Sequence, residues 1–155
     1  MSKQEIKFEE VFNKEKKEGL KEFIAVQAQK QPKERQLANK LMAIRFMLED
    51  YVENEDKNMK VLRALDFVKM YLKVLKLTKK ELATYFEMRD SNLHKYLSGE
   101  RKLNAEVVLK LSAFSHTRPE DWFRLQVKNE LIELKKEEKK IIEYQKFDYR
   151  NLVEI

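Results

Sequence analysis

Between Thr78 and Gly99 the chain reads T-K-K-E-L-A-T-Y-F-E-M-R-D-S-N-L-H-K-Y-L-S-G, and its second half sets Ser91, Asn92, His94 and Lys95 among Leu93, Tyr96 and Leu97. At helical spacing the two leucines and the tyrosine share one face and the four polar residues point away from it. Hydroxyl, amide, imidazole and ammonium groups on one short helix make directional hydrogen bonds, which is the chemistry of recognition. A partner helix precedes it. Thr78 followed by Glu81 is a capping box, in which each side chain satisfies an orphan backbone N–H at a helix start. Leu82, Ala83 and Phe86 form that helix's apolar face, with Ala83 small enough to let a second helix approach. The second helix starts around Arg89 or Asp90 and ends at Gly99, one of only 2 glycines, where the left-handed conformation costs no side-chain strain.

This pattern resembles the helix-turn-helix of the lambda-repressor/Cro family, and the resemblance continues past it. The stretch A-E-V-V-L-K-L-S-A-F after Leu103 and Asn104 is similar to that family's fourth helix. The stretch T-R-P-E-D-W-F-R-L-Q-V-K-N-E-L, Thr117 to Leu131, is similar to the HigA branch of antitoxins. The likeness covers Met59 to Leu134 and implies an all-α, lambda-repressor-like bundle whose recognition helix enters the major groove of double-stranded DNA. Carried over residue by residue, the base-reading positions are Asp90, Ser91, Asn92 and Lys95, flanked by Thr78, Lys79, Lys80, Arg101 and Lys102 as phosphate contacts. Lys95 can donate to guanine O6 and N7, Asn92 can pair with adenine, and Ser91 reads less selectively. Asp90 departs from expectation. A carboxylate beside phosphates is repelled unless it accepts from a cytosine N4 or caps the helix, and capping is the preferred role. The resemblance also implies a homodimer that represses its own operon and neutralises a HigB-type, ribosome-dependent mRNA-cleaving toxin. A solitary or phage-type regulator without a toxin is the nearest alternative. A protein-binding scaffold that has lost DNA binding is a more distant one.

Charge is concentrated where the motif lies. Residues 1–59 carry 12 Lys and Arg against 12 Asp and Glu, residues 60–118 carry 13 against 6, and residues 119–155 carry 8 against 9. The segment charges are 0, +7 and −1, so the whole excess of +6 falls on the segment holding the two short helices. A solvated basic surface would account for the charge alone, but its coincidence with the motif favours phosphate neutralisation.

Other chemistry finds little footing. His94 and His116, the only histidines, have no Cys or helical-spacing partner, so neither a metal site nor a cofactor is expected. With 2 glycines no phosphate-cradling loop can be built, and the Glu pairs, such as Glu9-Glu10 and Glu137-Glu138, have Lys neighbours and lie on polar faces. No enzymatic activity is expected. Absence of cysteine, of a signal-like apolar start and of a long apolar run predicts a cytoplasmic protein with no membrane span.

The elements that must position the recognition face read as helices throughout, since 39% of residues are charged and only 2 Gly and 2 Pro interrupt the chain. Three parts are expected: a helical N-terminal extension over residues 1–58, a DNA-binding domain over 59–134, and the end of a long helix with a tail over 135–155. In the extension, Lys7 to Phe12 is a weak amphipathic start, and Leu20 to Gln29 is a short helix carrying Phe23, Ile24 and Ala28. Pro32 marks a boundary, after which Leu37, Leu41, Ile44, Leu48 and Tyr51 form one stripe. That stripe either serves a toxin or regulatory partner or packs on the same chain, where any helix must bury such a face. Met59 to Leu75 is the next helix. Thr117 with Glu120 reads as a second capping box, opening a helix to about Tyr144 with Trp122, Leu125, Leu131, Leu134 and Ile141 apolar. Trp122 fits a core or dimer contact, and the helix as a whole is the expected dimer surface. The cluster around Phe147 and Tyr149 is a rival docking surface.

Overall fold

The computed structural model of the chain describes residues 14–55 and 60–154. Every regular element among them is helical: α1 Lys14–Glu53, α2 Ala64–Leu75, α3 Lys79–Tyr85, α4 Asp90–Ser98, α5 Ala105–Ser115, α6 Pro119–Lys136 and α7 Glu138–Tyr144. Single 3-10 turns follow at Gln145–Phe147 and Tyr149–Asn151. The all-α class follows from a composition poor in turn residues and rich in Lys, Glu and Leu. The amphipathic start expected at Lys7 to Phe12, the side chain of Ala28 and the expected helix start at Met59 lie outside the described residues.

Contacts divide the chain into two units, Met1–Lys40 and Leu41–Ile155. In the first, α1 continues through Pro32, where the sequence predicts a boundary. An interior proline costs about 3 kcal/mol by removing one backbone hydrogen bond and crowding the preceding turn. Its flanks, A-Q-K-Q before and K-E-R-Q-L-A after, are strong helix formers that favour continuation.

The second unit starts earlier than the expected division after residue 58, because the end of α1 belongs to its core. Ile44, Leu48 and Tyr51, at i, i+4 and i+7, are buried with Ala64, Phe67, Val68, Tyr71 and Leu72 of α2. Leu82, Ala83, Phe86, Leu93, Leu97, Leu103, Val107, Val108, Leu111, Trp122 and Leu125 complete the cluster. Of the two alternatives for the stripe, packing on the chain itself holds from Leu41 onward. Tyr51 makes the closure polar as well: its hydroxyl donates to Asn129 Oδ1 at 2.7 Å and accepts from the Leu62 N–H at 3.2 Å, while Asn129 Nδ2 donates to the Leu62 carbonyl at 2.8 Å. Lys128 Nζ lies 4.0 Å from the Tyr51 ring centroid and donates to the carbonyls of Tyr51 and Asn54. Burial lowers the pKa of this ammonium.

The start of α6 corrects the second capping box. Arg118 is the N-cap and Pro119 takes the first helical position, which suits a residue with fixed φ and no N–H. Thr117 is buried, and its Oγ1 accepts from Trp122 Nε1 at 2.7 Å and shares a 2.7 Å hydrogen bond with Ser115. Trp122 is a core residue, 0% exposed. The indole's need for an acceptor outweighed the cap, since a buried unpaired N–H costs more than a cap contributes. Nor does the last long helix run unbroken to Tyr144. α6 stops at Lys136, Glu137 leaves the helical region through its ψ of 61° (φ −96°), and α7 restarts at Glu138. The run from Lys135 to Lys140 is exposed, as a solvated charge run should be.

Candidate nucleic-acid interface

The recognition face is set by what α3 and α4 bury beneath it. Thr78 Oγ1 accepts from the Glu81 N–H at 3.1 Å and Glu81 Oε1 accepts from the Thr78 N–H at 3.3 Å, so the expected capping box forms and starts α3. Ala83, 1% exposed, lies among Leu82, Phe86, Leu93 and Leu97, all nearly inaccessible. Each such leucine contributes roughly 1.5–3 kcal/mol through burial, which fixes which side of α4 faces inward. Lys110 of α5 donates to the Phe86 carbonyl at 2.6 Å and so supplies the donor that an orphan carbonyl at the end of α3 needs. The turn follows without glycine: Glu87 adopts φ 58°, its N–H donates to the Thr84 carbonyl at 3.0 Å, and the Met88 N–H donates to the Ala83 carbonyl at 2.9 Å. A non-glycine residue there carries about 1–2 kcal/mol of strain.

α4 begins at Asp90 with Arg89 as its N-cap, so the preferred role of Asp90 as the cap is not realised. Its carboxylate, one position inside the helix, still complements the helix dipole and sits 3.9 Å from Lys79 Nζ. Lys79 Nζ is also 2.9 Å from His94 Nδ1. An ammonium has no lone pair, so in this contact Nδ1 is the acceptor. At the far end, Gly99 takes φ 85° as expected, and the Arg101 N–H donates to the Lys95 carbonyl at 2.9 Å, closing the helix end. Arg63, before α2, donates to the Ser98 carbonyl at 3.5 Å.

These contacts sort the expected site residues. Asp90 and Ser91 are exposed, and Asn92 and Lys95 are half-buried at helical spacing beside them, with no side-chain partner for Ser91, Asn92 or Lys95 among the described residues. Lys80 is exposed at the start of α3. Thr78 Oγ1 is engaged by the capping box, and Lys79 is held between His94 and Asp90. Arg101 lies past the other end of α4, its guanidinium 5.3 Å from the Tyr96 ring centroid. Tyr96 is itself fixed, because its hydroxyl accepts from Asn104 Nδ2 at 3.3 Å. Lys102 is exposed, 3.8 Å from Glu130 of α6.

Three residues outside the expected set share this surface. His94 lies one turn beyond Asp90 and Ser91, Arg89 is exposed at the mouth of α4, and Tyr85 is 75% exposed at the end of α3. Spacing already placed His94 on the polar face of α4, though not among the expected base-reading positions. Nothing in the pattern marks Tyr85, because an aromatic residue beside Phe86 reads as core until the helix axis is known.

No protein-family model matches the chain, and neither the curated proteins nor the solved structures contain a match. Among the described residues no helix is long and apolar enough to cross a membrane.

Proposed function

We propose that this protein is a DNA-binding transcriptional repressor of the lambda-repressor-like helix-turn-helix type, acting as a homodimer on an inverted-repeat operator. The observation that carries the reading is the outer face of α4, where Ser91, Asn92, His94 and Lys95 stand together on a helix anchored by Leu93 and Leu97. Around it lies the segment of net charge +7. Asp90, the carboxylate on this face that phosphates would repel, has Lys79 beside it as a counter-charge. One helix of this size reads too few base pairs for a genomic address, so two copies with half-sites about 34 Å apart are required. An exposed row on α6, Phe123, Val127, Leu131 and Leu134, offers the apolar face such a dimer would bury.

The antitoxin assignment rests on the HigA resemblance, with a HigB-type mRNA-cleaving toxin as the partner and the N-terminal arm as the element that meets it. Anisotropy titration of the full chain with DNA from upstream of its own gene, alongside random DNA, tests the repressor reading. Specific binding should exceed random binding by roughly 10³-fold or more, with two chains per footprint. Equal affinity for both DNAs, or a monomer by light scattering, would remove it.

A further inference from the structure

Within the N-terminal unit, every described side chain from Lys17 to Val26 is exposed, although four of them are large and apolar. Leu20, Phe23 and Ile24 are 54%, 60% and 56% exposed, and at i, i+3 and i+4 they share one face of α1. Lys17 and Lys21 fall along one edge of that stripe, beside Ile24, whereas Glu18 and Glu22 fall toward the opposite side of the helix. Between residues 14 and 40 there are 8 Lys and Arg against 4 Glu, a net charge of +4 that the neutral total for residues 1–59 conceals.

We propose that this face docks in an apolar groove of a partner protein whose lip, where it meets Lys17 and Lys21, is lined with carboxylates. The inference deepens the assignment of the arm as the partner-binding element and rests on that reading. Three anchors at this spacing are the pattern of a helix laid in a groove, and charge complementarity selects among occupants. A second copy of the same helix would bring +4 against +4. DNA would satisfy the lysines and leave Leu20, Phe23 and Ile24 in water. An acidic-lipped groove satisfies both.

The test uses the full chain, with the protein encoded by the neighbouring reading frame as the probe. Binding is measured by titration calorimetry for the wild type, Phe23→Ala and the double variant Lys17→Glu, Lys21→Glu, each checked for unchanged operator affinity. Each variant should weaken the complex about tenfold or more, and added salt should weaken the wild type more than the charge variant. Binding retained within about twofold by both variants would overturn the inference while leaving the antitoxin reading intact. Failure of the wild type to bind the neighbour, with operator binding preserved, would overturn both. Wild-type binding to phosphatidylserine vesicles, or a dimer mass, that is lost in Phe23→Ala would assign the face to a lipid surface or to self-association and would also overturn it.

Discussion

Lys79 Nζ lies 2.9 Å from Nδ1 of His94 and ties the first residue of α3 to the outer face of α4. The same ammonium is 3.9 Å from Asp90, so one lysine orients an imidazole and offsets a carboxylate on the surface proposed to meet DNA. A double-mutant cycle with Lys79→Ala and His94→Ala should give a coupling of about 0.5–1 kcal/mol in urea unfolding. Additive effects would mean that the contact does not persist in solution.

DNA contacts should divide by type. Lys95→Ala is expected to cost about 1–3 kcal/mol on the operator and little on random DNA, whereas Arg101→Ala should weaken both and lower the salt slope by about 1. Lys102 must leave Glu130 to reach a phosphate, so Glu130→Gln should tighten binding to every sequence. Equal loss on operator and random DNA for Lys95→Ala would refute its base-reading role.

Thr117 and Glu120 discriminate a buried acceptor from a cap. Thr117→Val should destabilise by about 1–3 kcal/mol, because Trp122 Nε1 loses its acceptor, while Thr117→Ser should retain most of that stability. Glu120→Ala should change stability by less than about 0.5 kcal/mol, the range of an ordinary surface change. Thermal unfolding monitored by tryptophan fluorescence checks all three, and a large loss for Glu120→Ala would restore the capping box.

Tyr71 is 1% exposed, its hydroxyl has no partner within hydrogen-bonding geometry among the described residues, and burial pushes its pKa up from 10.0 to about 12, with nearby Arg45 and, more weakly, the Ser115 hydroxyl opposing the shift. The folded state therefore holds the phenolic proton more tightly than the unfolded chain does. The resulting stability is complete below pH 10 and is lost as pH rises through 12. Tyr71→Phe should flatten this alkaline loss, of order 2–3 kcal/mol, and at neutral pH should be neutral or mildly stabilising. Parallel decline of both proteins in urea titrations above pH 10 would contradict it.

Truncation separates the two units. A chain starting at Leu41 keeps the whole buried cluster and should unfold cooperatively. A chain starting at Asn54 loses Ile44, Leu48 and Tyr51 from it. Each such loss costs roughly 2–5 kcal/mol, together comparable with the whole stability of a domain. A cooperative, native-like chain from Asn54 would show that the end of α1 is dispensable.

Local chemistry made much of this legible in the sequence. The Thr78–Glu81 box, the Gly99 stop and the inward Leu93 and Leu97 all depend on neighbours within one or two turns, so spacing alone determined them. What depended on distant partners was decided by tertiary structure. Thr117 could cap or accept, and only the approach of Trp122 made it an acceptor. The stripe from Leu41 to Tyr51 could serve a partner or this chain, and α2 with Asn129 of α6 decided for this chain. Asp90 could cap α4, and Arg89 took that position while Lys79 came within reach of the carboxylate. A sequence determines which faces must be buried, because periodicity is intrinsic to a helix; which surface covers each face depends on the packing of elements far apart in the chain.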